Sequence, residues 1–236
     1  MKLNSALLLA FFLLSIKLTA QESVNLSLYG NVTVPIADFK EAIDNSVGGA
    51  GVGVGTNFLF NPKGKKAYSP IFLGIDFSYV TFGRDKQEAT TNGLPYKTTF
   101  NYYNISGVSR IFLTDKTEGL TPFIDGMLGL KIFNTRTKID KDLIGTIIND
   151  QPEVIHTTND TGLGYGLGVG FYKRHPHTEE GSGGASVSMR VMYLWGDKTS
   201  YVKRGSLQVD NGAVTYETGY ANTNMILIQL GITIHD

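Results

Sequence analysis

Beyond residue 20 the chain alternates apolar and polar residues in blocks of roughly ten, the period of a strand rather than a helix. In the first block Val24, Leu26, Leu28, Val32 and Val34 share one face, with Asn25, Ser27, Tyr29, Asn31 and Thr33 on the other. In the last, Ile226, Ile228, Leu230, Ile232 and Ile234 alternate with Gln229, Gly231, Thr233 and His235. Successive side chains of a strand point to opposite faces, so each block predicts a strand with one apolar side. Further blocks of this kind fall at 48–60, 71–82, 98–113, 120–133, 161–172 and 185–195, the one at 98–113 being the least regular. The count is eight or nine. An even number closes a bacterial barrel, so eight strands are expected.

The connections alternate in length. Long polar linkers lie near 35–47, 83–97, 134–160 and 196–222, and shorter ones near 61–70, 114–119 and 173–184. That alternation predicts an up-and-down barrel with long outer loops at one rim and short periplasmic turns at the other. Asn92-Gly93 and Asp210-Asn211-Gly212 are hairpin-turn residues, so several long connections are read as protruding hairpins.

The face opposite the apolar one is mainly Gly, Ser, Thr and Asn, with few charges, whereas a soluble sheet would turn a charged face to water. Small side chains suit the crowded interior of a narrow barrel, which places the apolar face against lipid. On that face Tyr79, Tyr103, Tyr193 and Trp195 fall near the long-loop rim and Phe58, Phe60 and Phe171 near the other, as two interfacial aromatic belts.

Composition agrees with a β-protein: Gly 28, Tyr 12 and Phe 13, against only 7 Pro in 236 residues. No stretch past residue 20 approaches the ~20 apolar residues of a membrane helix, so strands would have to do the spanning. At the start, Lys2, the apolar run Ala6 to Leu14 and the small residues before Gln21 form a secretory signal, predicted to be cleaved after Ala20. The domains are then a signal peptide over 1–20 and an outer-membrane barrel over 21–236. Losing Lys2 and Lys17 takes the 21 basic residues to 19 against 21 acidic, with no basic stripe to recruit nucleic acid. Cysteine is absent, so no disulfide framework stabilises the fold.

In Thr121-Pro122-Phe123 through Gly129, in Gly162-Leu163-Gly164-Tyr165-Gly166-Leu167-Gly168 and in the closing Gly231-Ile232-Thr233-Ile234, the chain resembles the small eight-stranded outer-membrane barrels, the group of OmpX and the OmpA transmembrane domain. The Ala20-Gln21 junction resembles those common in Bacteroidota. The resemblance implies an all-β, single closed antiparallel transmembrane barrel, partnered by outer-membrane lipid or lipopolysaccharide and by the barrel-assembly machinery. The chain departs from the group in ending Ile234-His235-Asp236 rather than on an aromatic residue, and a cell-wall module of the OmpA type is not expected.

Four charges on inward positions fall at similar heights. Asp76, Asp125 and Arg190 lie about five residues from the short-turn end of up-running strands, and Arg110 falls slightly lower on a down-running one. At ~3.3 Å rise and a tilt near ~40° their heights agree within a few ångström. Buried charges persist when paired, so an internal ion-pair cluster that fills the lumen is expected.

Other chemistry is weaker. His175 and His177 flank Pro176 beside Glu179 and Glu180, a spacing that admits Zn²⁺ or Cu²⁺ but reads first as a solvated turn, so no metal is expected. His156 falls in a long outer loop and His235 one residue from the end. No histidine shares a strand face with a serine as hydrolytic catalysis requires. The alternating glycines of 49–55 and 162–170 open no helix and are strand glycines rather than a nucleotide fingerprint. Neither a cofactor nor a catalytic residue is expected. The leading function is non-enzymatic, an outer-membrane barrel whose loops contact a surface partner in adhesion or envelope defence. The alternatives are a narrow solute pore, a lipid-modifying enzyme and a soluble periplasmic ligand-binding barrel.

Overall fold

The structure, a computed structural model, describes residues 24–43, 49–63, 69–88, 95–114, 119–139, 154–174, 184–203, 205–210 and 213–235. The expected signal over 1–20, the turn with His175 and His177, and the dipeptides Asn92-Gly93 and Asn211-Gly212 lie outside these residues.

In chain order the elements are β1 (Val24–Pro35), α1 (Asp38–Ile43), β2 (Gly51–Phe60), β3 (Ile71–Glu88), β4 (Pro95–Phe112), β5 (Gly119–Ile139), β6 (Val154–Arg174) and β7 (Gly184–Gly196). They continue as β8 (Lys198–Val202), β9 (Gln208–Asp210), β10 (Ala213–Thr215), β11 (Thr218–Asn222) and β12 (Met225–His235). β1 to β7 and β12 form a closed barrel with every pairing antiparallel, in which β1 to β7 pair in sequence order, β7 meets β12 and β12 closes onto β1. Closure satisfies the backbone of every barrel strand along both edges, as a sheet in lipid requires.

The alternating faces are realised in the packing. Leu28, Val54, Ile75, Leu128, Leu167, Val169 and Leu230 are between 59 and 62 % exposed and belong to one belt around the wall. So continuous an apolar exterior is foreign to a soluble monomer, and it marks the height at which the barrel meets lipid. At the upper margin of the belt Tyr79 meets Tyr103 at 5.2 Å between ring centroids, and Trp195 packs on Tyr165 and Tyr193 at 5.6 and 4.4 Å.

Three features differ from the sequence reading. The linkers near 83–97 and 134–160 are largely strand: β3 and β4 stay paired out to Glu88 and Pro95, and β5 and β6 out to Lys138 and Val154. Both faces of these extensions are wet or polar, so the apolar period that marks the lower strands is absent while the backbone ladder continues. The linker near 35–47 holds α1, whose Phe39 is only 1 % exposed and enters the barrel mouth against Phe82 and Phe133. The inward face, read as small and polar, also carries Leu59, Val80, Tyr102, Met127, Met192, Leu194 and Leu227, all buried. A closed barrel has volume to fill above and below its mid-height, and bulky side chains fill it.

Candidate functional site

The inner wall at mid-height is set by alternation. Odd positions of β1, β2, β5 and β12 and even positions of β3, β4, β6 and β7 turn inward, which carries Asp76, Arg110, Asp125 and Arg190 into the lumen, each with 0 % exposure. Arg110 and Asp125 are direct cross-strand partners. Arg110 Nε donates to Asp125 Oδ1 at 2.7 Å and its Nη2 to Oδ2 at 2.6 Å, a planar two-point pairing. Arg190 Nη1 donates to the same Oδ2 at 2.9 Å, while its Nη2 crosses the lumen to Asp76. Two guanidinium groups and two carboxylates thus form one neutral chain of ion pairs.

A polar surround completes it. Arg190 Nε donates to Gln229 Oε1 at 2.5 Å, and Gln229 Nε2 donates to Asn31 Oδ1 at 2.8 Å and Ser78 Oγ at 3.3 Å. Ser78 Oγ donates in turn to Asp76 Oδ1 at 3.3 Å. Arg110 also donates to the Tyr172 hydroxyl, and its guanidinium lies 3.7 Å from the centre of the Phe123 ring. The Tyr29 ring lies 5.3 Å from the Arg190 guanidinium. Gln229, Tyr29 and Tyr172 were not singled out by sequence, being uncharged among many polar inward residues; their parity on β12, β1 and β6 is the signal that points to them.

The glycines of β6 make this reach between strands feasible. A side chain at Gly170 would meet the Phe123 ring, with Cε2 at 2.7 Å, and the Met189 carbonyl at 2.5 Å. Bare backbone there leaves room for Phe123 under Arg110 and for Arg190 to pass over β6 to Asp125. Higher in the lumen Lys131 lies against Gly164 and Gly196 and donates to the Thr223 carbonyl at 3.1 Å.

The charged layer is closed on both sides. Toward the short turns Phe72, Phe112, Phe123 and Tyr172 stack, with neighbouring centroids 5.1 to 6.0 Å apart. Toward the outer mouth Phe39, Phe82, Tyr102 and Phe133 pack with centroids 5.1 to 5.7 Å apart. Among the described residues, ion pairs between two aromatic layers occupy the lumen and link its walls.

Above the barrel the outer strands brace one another. The Asp160 carboxylate accepts hydrogen bonds from the backbone N and Oγ of Ser200, both at 2.5 Å. Partial burial works against its charge, yet these bonds and one from the Thr161 N–H hold it below the usual carboxylate range. Tyr96 Oη donates to the Leu207 carbonyl at 3.0 Å, and burial pushes that phenol's pKa up, with the Asp85 charge adding to the effect. His156 stacks on Tyr216 at 4.9 Å and bonds Thr158 Oγ1 at 2.8 Å, so it lies in the strand extension rather than in a loop. Among the described residues no cluster of three or more His, Asp, Glu or Cys is arranged to hold a metal.

No protein-family model matches the chain, and no curated protein sequence does. Solved structures do. Neisserial surface protein A is similar at a TM-score of 0.46 and 10 % identity, over 91 % of this chain and 97 % of that one. Ail, the attachment invasion locus protein of Yersinia pestis, is similar in its complex with the heparin analogue sucrose octasulfate at 0.41 and 12 %, over the same shares. A second structure of Ail matches at 0.38 and 12 %. What the chain is follows from its own geometry: an all-β, closed eight-stranded antiparallel barrel with an apolar exterior and a packed, charge-paired lumen.

Proposed function

We propose that the chain is a non-enzymatic integral protein of the bacterial outer membrane, with a sealed barrel that carries a rigid outer extension for contacts at the cell surface. The observation that carries this is the combination of a lumen filled through its height and strands that continue as braced hairpins beyond the aromatic belt. A pore would need an open channel, whereas here Arg110, Arg190 and two aromatic layers occupy the cross-section. The bonds Asp160–Ser200 and Tyr96–Leu207 tie the β8–β11 ribbon to β6 and β4, so ordering entropy is already spent before a partner arrives. Adhesion or envelope defence is the role such a preorganised surface suits.

The first test is conductance. The refolded protein in a planar bilayer is expected to give no unitary currents, and steady channels of uniform size would sink the sealed-barrel reading in favour of a solute pore. The second is display: cells expressing the protein should gain binding to host or abiotic surfaces that is lost when residues 198–222 are replaced by a short turn.

A further inference from the structure

The outward face of the barrel wall changes chemistry in registered rows above the apolar belt on β3, β4, β5 and β6. The first row is aromatic, with Tyr79 opposite Tyr103. The next is a ladder of amides: Asn101 lies opposite Asn134, which lies opposite Asn159. Tyr79 Oη donates to Asn101 Oδ1 at 3.0 Å, Asn101 Nδ2 to Asn134 Oδ1 at 3.2 Å, and Asn134 Nδ2 to Asn159 Oδ1 at 2.7 Å. Above the amides, Arg84 pairs across to Thr99, and Thr99 to Arg136. One row higher, Lys86 faces Lys97, and Lys97 faces Lys138.

Directly opposed residues share a face, and so do residues two apart on one strand. Arg84, Lys86, Lys97, Arg136 and Lys138 therefore stand on one outward face of three adjacent strands. Arg84, Lys86 and Arg136 are exposed, and Lys97 and Lys138 are half-buried. From Tyr103 to Thr99 and Lys97 the climb is about 10 to 15 Å along the barrel axis. That is the depth of lipid headgroups rather than of acyl chains or open water. The rows gather positive charge at one height of the wall, which attracts an anion.

Resting on the outer-membrane reading above, we propose that this face binds the phosphate groups of a glycolipid in the outer leaflet beside the barrel. The cations supply charge-assisted hydrogen bonds to phosphate oxygens, Arg84 and Arg136 in two-point fashion. The Asn101–Asn134–Asn159 ladder meets the sugar hydroxyls beneath, and the Tyr79 and Tyr103 rings meet the start of the acyl chains. The face is continuous with the lipid-contacting wall, which favours a lipid over a soluble polyanion.

The test uses the full barrel refolded in a neutral detergent, after its heat-modifiable mobility has been established. Binding of bis-phosphorylated lipid A, of the same glycolipid stripped of phosphate, and of heparin is read by native mass spectrometry. Lipid A is expected to bind at least about tenfold more tightly than the dephosphorylated glycolipid, with the difference shrinking in high salt. The combined variant Arg84→Gln, Lys86→Gln, Lys97→Gln, Arg136→Gln and Lys138→Gln should lose that advantage, whereas Lys203→Gln on the outer ribbon should keep it. Equal binding of both glycolipids by the natural protein, or full lipid A binding by the combined variant, overturns the proposal while leaving the barrel reading intact. Tighter binding of heparin than of lipid A also overturns it. A chain that shows no heat-modifiable species and stays soluble without detergent overturns both readings.

Discussion

Arg190 on β7 spans the lumen to Asp76 on β3, two residues 114 apart in sequence and both fully buried. With the Arg190–Asp125 pair at 2.9 Å, this contact ties opposite walls of the barrel rather than neighbouring strands. Asp76 takes its charge partner from Arg190, whereas Asp125 is shared between Arg190 and Arg110.

Arg190→Ala should therefore lower stability by about 3–5 kcal/mol, because it strands the buried Asp76 carboxylate rather than merely deleting an attraction. Adding Asp76→Asn should restore part of the loss by removing one uncompensated charge. Urea-dependent loss of the compact form on unboiled gels measures both; an unchanged midpoint for Arg190→Ala counts against the cluster as a structural element.

Gly170→Leu should cost stability by overpacking, on the order of 1–3 kcal/mol, since its side chain would enter the Phe123 ring. Phe123→Ala in the same chain should be less damaging than in the natural background. Purely additive losses across that double-mutant cycle would mean that Gly170 is not shaped by Phe123.

Phe39→Ala should release the segment around α1 from the mouth without opening a channel. Residues 36–43 should become cleavable by protease added outside the folded barrel, while conductance stays at background because the ion-pair and lower aromatic layers remain. Currents appearing in Phe39→Ala would show that Phe39 alone closes the lumen.

Acid should loosen the outer ribbon through Asp160. Its carboxyl is held below the usual range in the folded protein, so its contribution is present above the ordinary carboxylate pKa, about 3.9, and fades as pH falls through the lower folded value. Hydrogen exchange at the Ser200 amide should stay slow at neutral pH and quicken only in strong acid. Asp160→Asn should exchange faster at neutral pH and lose that acid step; an amide equally protected in both chains would remove Asp160 from the bracing.

The parts of this fold that were legible in the sequence are those with two unlike environments. Ile226 to Ile234 face lipid while Gln229 and Thr233 face the lumen, so period two is loud there. Arg110 and Asp125 stand out because a charge at an inward position is rare. Past the aromatic belt the contrast vanishes: Thr98 and Thr137 point inward and Thr99 and Arg136 outward, polar on both sides, so the strand extensions read as linkers. Phe39 gave no period at all, being one aromatic in a helix of six residues. The Lys86–Lys97–Lys138 row exists only through register, which a linear reading of three separate segments does not supply.

The seam between β1 and β12 bears on how the molecule is made. Eleven registered pairs join them, from Asn25 with His235 to Pro35 with Met225, and Ser27 Oγ lies 2.8 Å from Thr233 Oγ1 across a separation of 206 residues. Until that seam zips, β1 and β12 each present a bare ladder of N–H and C=O groups to hydrocarbon, at several kcal/mol per unmet group. A half-inserted sheet is therefore a poor resting state, and assembly should proceed as one concerted event in which late-translated residues decide whether early ones can stay in the bilayer.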